Sequence, residues 1–294
     1  MKLFIIVILL IRYISCWKLH STYNSTNFFD HFHFFSKKDP TGGVALYQNA
    51  TSAVSKGLIR TNKKTVLIKA DNTTVSSYGR DSIRLFSKES YNHGLFVIDL
   101  NHMPTGCGCW PAFWLVGNSW SKNGEIDIIE GVNTVKHNTI SIHSNNKCII
   151  SSTTKLASGL SASSLTCSGT KCSTRITHPH AFGADFNQNN GGIYVVQWIK
   201  ATSFHIWFFP RDSIPADITS GMLTTPALRY EYGSCNPAAF SNLTITLDLA
   251  FCGSWAGNSA SYRQCPMSCE TFVKGTPDAF SEAYWDINYI KVYQ

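Results

Sequence analysis

The segment Asn123-Gly124-Glu125-Ile126-Asp127-Ile128-Ile129-Glu130-Gly131 places three carboxylates within six residues of a chain that has only 18 Asp and Glu in all. Isoleucines fill the positions between them, which marks a strand with at least one buried face. On a regular strand Glu125 and Asp127 share a face, while Glu130 is an odd step away and points backwards. One extra residue in a bulge at Ile128-Ile129 returns Glu130 to the face of the other two acids, and bulges re-aim side chains in this way beside active sites. Glycoside hydrolysis is a reaction that needs two carboxylates flanking one bond, about 5–5.5 Å apart in the retaining form. The two glutamates are separated by roughly four strand steps of about 3.3 Å, so their side chains must lean together, which a concave sheet favours. In that chemistry Glu125 attacks the anomeric carbon, and Glu130 protonates the leaving oxygen and then deprotonates water. Asp127 orients Glu125, and its charge keeps Glu130 protonated. A solvated acidic stripe or a calcium site remains the alternative for such a pattern taken alone.

The elements that must carry these acids read as strands. Short runs rich in strand formers recur at Gly94–Leu100, Glu125–Glu130, Thr139–His143, Ile193–Ile199, Phe204–Phe209, Leu243–Phe251 and Ala283–Tyr293, separated by Gly, Pro, Asn and Ser. Tyr194, Val196 and Trp198 alternate with Val195 and Gln197 in period two. No long stretch keeps a helical period, and no repeat is found. The pattern predicts an all-β sandwich or jelly roll. No Pro-rich or Gly/Ser linker divides the chain, so one domain is expected over residues 17–294, its packed part starting at about residue 28. The Ser/Thr-rich segment from Ser151 to Thr177, with Cys167 and Cys172, is expected to be an ordered loop pinned by disulfides.

The composition is globular: charged residues are 15% and aromatics 13%, which is too apolar for a disordered chain. The net charge of +7 is scattered, without a Lys/Arg block, which argues against a nucleic-acid partner. Residues 1–16 read as a signal peptide. Lys2 opens it, and Leu3 to Ile11 form an apolar run far shorter than the about 20 residues a bilayer demands. A secreted, extracellular monomer with no membrane contact after cleavage is expected. The 10 cysteines contain no CxxC pair and read as disulfides. Loss of Cys16 with the signal leaves an odd number, hence one free or intermolecularly paired thiol. Sequons at Asn24, Asn49, Asn72 and Asn242 fit an exported glycoprotein.

The run His102-Met103-Pro104-Thr105-Gly106-Cys107-Gly108-Cys109-Trp110-Pro111-Ala112-Phe113-Trp114, followed by Asn123 to Asn133, closely resembles glycoside hydrolase family 16, in its laminarinase-like endo-β-1,3(4)-glucanases. Further similar segments are Asp39 to Gly43, Gly94 to Phe96, Trp207 to Arg211, Ile214 to Ile218, Phe251 to Gly257 and Ala283 to Asn288, so the resemblance covers nearly everything after residue 28. It implies a curved β-sandwich jelly roll of two antiparallel sheets, the concanavalin-like lectin and glucanase fold, with a cleft across the concave face. It also implies the roles given above for Glu125, Asp127 and Glu130. One departure is Cys109, where the family usually has threonine, and this residue is the candidate for the unpaired thiol.

Sugars present flat C–H faces on which aromatic rings stack, so Trp110 and Trp114, just ahead of the acidic strand, are candidate cleft walls, with core packing as the alternative. Trp198 and Trp255 are weaker candidates, and Trp207 and Trp285 are assigned to the core. His143, on the next strand, is placed to meet a catalytic carboxylate or the sugar, or is a structural histidine. Asn133 contacts a substrate hydroxyl or caps a turn. The Phe28 to Phe35 cluster packs the N-terminal segment, and its HxH spacing is a poor zinc signal. No metal or cofactor is required, since two carboxylates suffice. The expected function is a secreted retaining endo-β-1,3(4)-glucanase acting on laminarin-type or mixed-linkage β-glucans. A β-glucan transglycosylase, or a non-catalytic β-glucan recognition protein on the same fold, is the alternative.

Overall fold

The computed structural model describes residues 17–120, 122–144, 170–219, 223, 226, 228–231 and 236–294, and residues 162–168 as backbone. The expected signal peptide at 1–16 lies outside the described residues. Strands are numbered in chain order. One large sheet runs β12 (Ala162–Ser168), β13 (Lys171–Ile176), β11 (Asn138–His143), β10 (Glu125–Glu130), β9 (Cys109–Gly117), β17 (Leu243–Phe251), β7 (Arg84–Tyr91) and β2 (Phe32–Phe34). The other runs β16 (Leu228–Glu231), β15 (Ser203–Pro210), β14 (Gly192–Ile199), β8 (Gly94–His102), β18 (Tyr284–Tyr293), β5 (Val66–Lys69) and β4 (Ile59–Thr61). To β18 is also paired β1 (Leu19–Asn24). A small parallel pair, β3 (Ala45–Tyr47) and β6 (Arg80–Ser82), completes the set. The two large sheets are the antiparallel jelly roll expected from the strand pattern and the resemblance.

Alternation along each strand decides what faces the space between the sheets. From β9, Phe113 and Leu115 enter the main core, as do Ile126, Ile128 and Ile129 from β10 and Ile140 and Ile142 from β11. Tyr194, Val196 and Trp198 meet them from β14, with Phe96, Ile98 and Leu100 from β8 and Trp285, Ile287 and Ile290 from β18. The opposite parity of β14, Ile193 and Val195, packs instead into an outer cluster with Trp207. This period-two division is what leaves one whole face of the first sheet free to line a cleft. Helices are short among the described residues, the longest being Cys269–Gly275, in accord with the missing helical period.

Two expectations are corrected. The packed part of the domain does not start near residue 28: Leu19 to Asn24 already forms a strand against Tyr293 to Tyr289. That strand was hidden because Leu-His-Ser-Thr-Tyr-Asn carries too little apolar alternation, its pairing coming from the far end of the chain. Nor is the Ser/Thr-rich segment simply a loop, since β12 and β13 form an antiparallel pair within it that extends the cleft-bearing sheet. Its part at 151–161 lies outside the described residues. Cys172 is disulfide-bonded, as expected.

Two further disulfides, Cys107–Cys265 and Cys252–Cys269, tie the approach to β9 and the exit from β17 to the helix-bearing C-terminal region. Cys265 and Cys269 thus serve as disulfide partners, each to a different strand end. Cys109 is the free cysteine among the described residues; it is buried, with its thiol directed at the Thr105 carbonyl at 3.7 Å. Burial pushes that thiol far up in pKa, which makes it inert at neutral pH.

The entry to β10 is held by Gly124 at φ +79°, where a Cβ would lie 2.3 Å from Phe240 Cδ1 and 2.6 Å from the Ala239 carbonyl. Gly124→Ala is therefore expected to destabilise the protein by about 2 kcal/mol or more, the left-handed conformation adding to overpacking. Thermal denaturation would read this as a fall of several degrees in Tm, and an unchanged Tm would contradict it.

Candidate active site

The ladder between β10 and β9 pairs Asp127 with Trp114 and Ile129 with Phe113, so Ile128 is the extra residue of a bulge. Ile128 and Ile129 both point into the core, fully buried. Glu125, Asp127 and Glu130 consequently emerge together on the open face, where all three line the same cleft. The bulge expected from the spacing is present at the expected place. Its backbone is secured by a residue that the sequence reading did not single out: Asn138 donates from Nδ2 to the Ile128 carbonyl at 2.7 Å and accepts from the Glu130 amide at 2.9 Å. Regular pairing between β10 and β11 stops at Asp127 and Ser141, so this side chain takes over where the ladder ends. No signal in a single sequence distinguishes such an asparagine from any other at a strand start.

The two glutamates each have an indole donor. The Trp110 indole N–H donates to Glu130 Oε1 at 3.0 Å, and the Trp120 indole N–H donates to Glu125 Oε2 at 2.7 Å. His143 Nε2 lies 3.6 Å from Glu125 Oε1 and 3.5 Å from Asp127 Oδ2, having been placed beside Glu125 by the β10–β11 register. Burial, then the Asp127 charge, raises the Glu125 carboxyl to about 8. Burial raises Asp127 as well, against the pull of Lys171. Glu130 is also pushed well above the ordinary carboxylate range, through burial and then the Asp127 charge, which favours its protonated form. Burial lowers His143, partly countered by Glu125. A neutral imidazole between carboxylates that differ in proton affinity is suited to orienting them and passing protons.

Glu125, Asp127 and His143 also bring ligand atoms within 4.8 Å of one another. Two carboxylates and one imidazole fall short of the six to eight oxygen ligands that calcium takes. This set fits acid–base chemistry better than a calcium site.

The three acids divide the cleft into two unlike halves. Toward β9, β17 and β7 lies a space of about 610 Å³ lined by Trp110, Ala112, Trp114, Val116, Arg84 and Phe86 among others. Here Trp114 is fixed by its indole N–H to Asp248 Oδ1 at 3.1 Å, and Asp248 in turn binds Arg84 at 3.2 Å. The Arg84 guanidinium lies 5.0 Å from the Trp114 ring centroid, a cation–π contact that further steadies the wall. Toward β11 and β13 lies a space of about 680 Å³, lined by Thr139, Ser141, His143, Lys171, Ser173 and Arg175 and closed on one side by Trp255. Trp255 stands edge-on to Trp110, with centroids 5.5 Å apart.

The structure therefore places Trp110, Trp114 and His143 at the cleft with the three acids. Asn133 is elsewhere. It is 3% exposed at φ +58°, accepts from the Gly108 amide at 2.7 Å, and donates to the carbonyls of Ala256 and Ser261 at 3.0 Å each. Its carboxamide is spent on backbone, which corrects the substrate-contact reading in favour of the turn-holding one. Trp198 is fully buried in the core, as is Trp285, while Trp255 does reach the cleft. Trp120, which borders both halves and is 66% exposed, was missed. Its one signal was position, as the third tryptophan of the run leading into the acidic strand.

Residues 32–293 match the model of the XgeA-like catalytic domain of glycoside hydrolase family 16. A probable glycosidase of Schizosaccharomyces pombe is 39% identical over 292 residues, covering 95% of this chain and 69% of that protein. A probable endo-1,3(4)-β-glucanase of Aspergillus flavus is 41% identical over 299 residues, covering 95% of this chain and 45% of that protein. The chain spans 40–48% of the length of this and six further curated relatives. Among solved structures, laminarinase 16A of Phanerochaete chrysosporium, with 6-O-glucosyl-laminaritriose in donor and acceptor sites, superposes with a TM-score of 0.87 at 33% identity, covering 95% of this chain and 99% of that one. An elongating family 16 β-1,3-glucosyltransferase superposes at 0.85 with 34% identity, covering 95% and 100%.

Two outcomes follow from the site. Glu130, like Glu125, holds its proton more tightly folded than unfolded, so folding stability falls as pH rises from the ordinary carboxylate range, about 4.3, toward the raised folded values. Glu130→Gln removes that cost and keeps an acceptor for Trp110. It is expected to raise stability at pH 8 by about 1–4 kcal/mol, with the gain shrinking toward pH 4.5. Thermal melts of both proteins at the two pH values test this, and a gain independent of pH would sink it. Asn138→Ala leaves the Glu130 amide and Ile128 carbonyl without partners, about 1–3 kcal/mol for each group left buried. Turnover is expected to fall by about 10²-fold as Glu130 is mis-aimed. Unaltered turnover in a measured kcat would remove Asn138 from the positioning of Glu130.

Proposed function

The chain belongs to glycoside hydrolase family 16, and from that premise we propose that it is a retaining endo-β-1,3(4)-glucanase hydrolysing laminarin-type or mixed-linkage β-glucans. The observation that carries this reading is the bulge at Ile128, which sets Glu125, Asp127 and Glu130 on one face at the junction of two cleft halves. A polysaccharide lying along the cleft would cross both halves and present one bond to the acids, the arrangement an internal cleavage requires. The glucanase relative and the glucan-bound laminarinase support the substrate class.

In this reading Glu125 attacks the anomeric carbon while Glu130 delivers its proton to the leaving oxygen, leaving a glycosyl-enzyme ester on Glu125. Water then enters from the acceptor side, Glu130 removes its proton, and the ester breaks with the original configuration restored. Burial and the Asp127 charge raise Glu130, which supports its holding the proton that it delivers as general acid. Asp127 holds the negative charge that keeps Glu130 protonated, and His143 and Trp120 orient Glu125. Trp110 fixes Glu130, while Trp114 offers a ring face to the sugar. Residues 17–294 form the catalytic domain, released as an extracellular monomer once residues 1–16 are removed. Among the described residues no helix is long and apolar enough to cross a membrane.

Transfer to a sugar hydroxyl in place of water is the second reading, supported by the likeness to an elongating glucosyltransferase and by the hydroxyl-rich half of the cleft. Retention of both glutamates argues against a recognition protein without catalysis.

Wild type incubated with laminarin, barley-type β-glucan and cellulose should release short oligosaccharides from the first two, with the β-anomer formed first by NMR. Glu130→Gln should lose about 10²–10⁴-fold in rate and Glu125→Gln should show no turnover. Products longer than the starting oligosaccharide would select transfer over hydrolysis. Full activity in Glu125→Gln, or an inverted first product, would overturn the mechanism.

A further inference from the structure

The half of the cleft over β11 and β13 carries two cations in addition to the ring faces and hydroxyls that bind a neutral glucan. The register pairs His143 with Lys171, Ser141 with Ser173 and Thr139 with Arg175. The same parity that turns Cys172 and Ile176 inward therefore presents Lys171, Ser173 and Arg175 along one row of the open face, and all three line the space of about 680 Å³. Both cations are exposed, and among the described residues neither has an ion-pair partner. The contrast with the other half is direct, since the one cation there, Arg84, is tied to Asp248 beneath the Trp114 wall. Neutral sugars are read by ring faces and hydroxyl partners, which Trp110, Trp255, Ser141 and Thr139 already supply on this side.

We propose that Lys171 and Arg175 form, with the Ser173 hydroxyl between them, a binding position for an oxyanion carried on a saccharide unit of the bound chain, either a carboxylate or an acidic ester. The inference rests on the reading of this cleft as a glucan site and names a substituted substrate that the site favours. Distance makes the position workable despite the acids. β13 is two strand spacings from β10, about 9.6 Å, so an anion held at about 4 Å from the cations sits roughly a Debye length from Glu125 and Asp127. The nearer cations therefore attract the anion more strongly than the farther acids repel it. Lys171 also offsets the acids, since it restrains the rise in Asp127. Lys171 and Arg175 stand four strand steps of about 3.3 Å apart on one row, so their long side chains must lean together over Ser173 to share one oxyanion, the lysine as a point charge and the arginine as a planar fork.

The test measures affinity in the Glu125→Gln protein, which cannot consume its ligand, by titration calorimetry at fixed salt. The probes are laminarin, laminarin oxidised at its primary hydroxyls to carboxylates, and laminarin carrying sulfate esters. At least one anionic form should bind about tenfold tighter than the neutral one, the size of a charge-assisted contact. Which form gains distinguishes a carboxylate from an ester site. The gain should vanish when Lys171→Gln and Arg175→Gln are added, and return with Lys171→Arg and Arg175→Lys. It should persist with Lys63→Gln and Lys64→Gln, which lower the net charge equally at a remote turn. Equal affinity for neutral and anionic laminarin, or equal losses in the remote control, overturns the oxyanion site while the glucanase reading stands. Failure of neutral laminarin itself to bind overturns that reading and this inference with it.

Discussion

Keeping three carboxylates close together and largely out of water is the constraint on which the rest of this structure depends. Left to themselves on one face of one strand, such groups repel and desolvate at a cost that most of a small domain's stability could not absorb. The chain meets the constraint by anchoring the other face of the strand. Ile126, Ile128 and Ile129 are fully buried between the two sheets, so the strand cannot roll to relieve the acids. The bulge at Ile128 directs two successive isoleucines inward and brings Glu130 outward. Asn138 satisfies the backbone groups that the bulge exposes.

What surrounds the acids follows from the same constraint. Each needs a neutral donor rather than a cation at hand, because a cation at contact would fix the charge and remove the difference in proton affinity that the chemistry uses. Trp110 and Trp120 supply indole N–H groups, and burial keeps His143 neutral. Charged partners stand further out: Lys171 on β13, and Arg84 committed to Asp248 under Trp114. The site thus runs from carboxyl groups of raised proton affinity at the centre to cations at one edge, laid across neighbouring rows of a single sheet.

The disulfides act on the ends of that sheet rather than on its centre. Cys107–Cys265 and Cys252–Cys269 bind the beginning of β9 and the end of β17 to the short C-terminal helix region. The short helix Gly253–Ala256 that carries Trp255 follows directly from Cys252, so the disulfide anchors the segment that sets Trp255 edge-on to Trp110. Asn133 belongs to the same region, holding the Gly108, Ala256 and Ser261 backbones together. The polar residue just past the acidic strand is a strut of the cleft and not one of its surfaces.

The sequence by itself determined whatever depends on neighbours along the chain. Alternation on Leu243–Phe251 and Glu125–Glu130 set their bounds as observed, because a two-residue period is a local property. The odd spacing of Glu130 demanded a bulge, and only one place was available for it. Trp110, Trp114 and His143 were within reach of the acids through adjacent strands. Tertiary structure alone decided what depends on distant partners. The strand Leu19–Asn24 exists because Tyr289–Tyr293 lies open beside it, and a hydrophobic pattern too weak to foretell it is sufficient once that edge is present. Asn133 and Asn138 are the same residue type five positions apart, one bracing turns and the other a bulge, and their hydrogen-bond partners are assigned only when the chain is folded. The row of Lys171, Ser173 and Arg175 became a cleft wall through pairing with β11, and no local signal in a Ser/Thr-rich stretch marks which edge it will join.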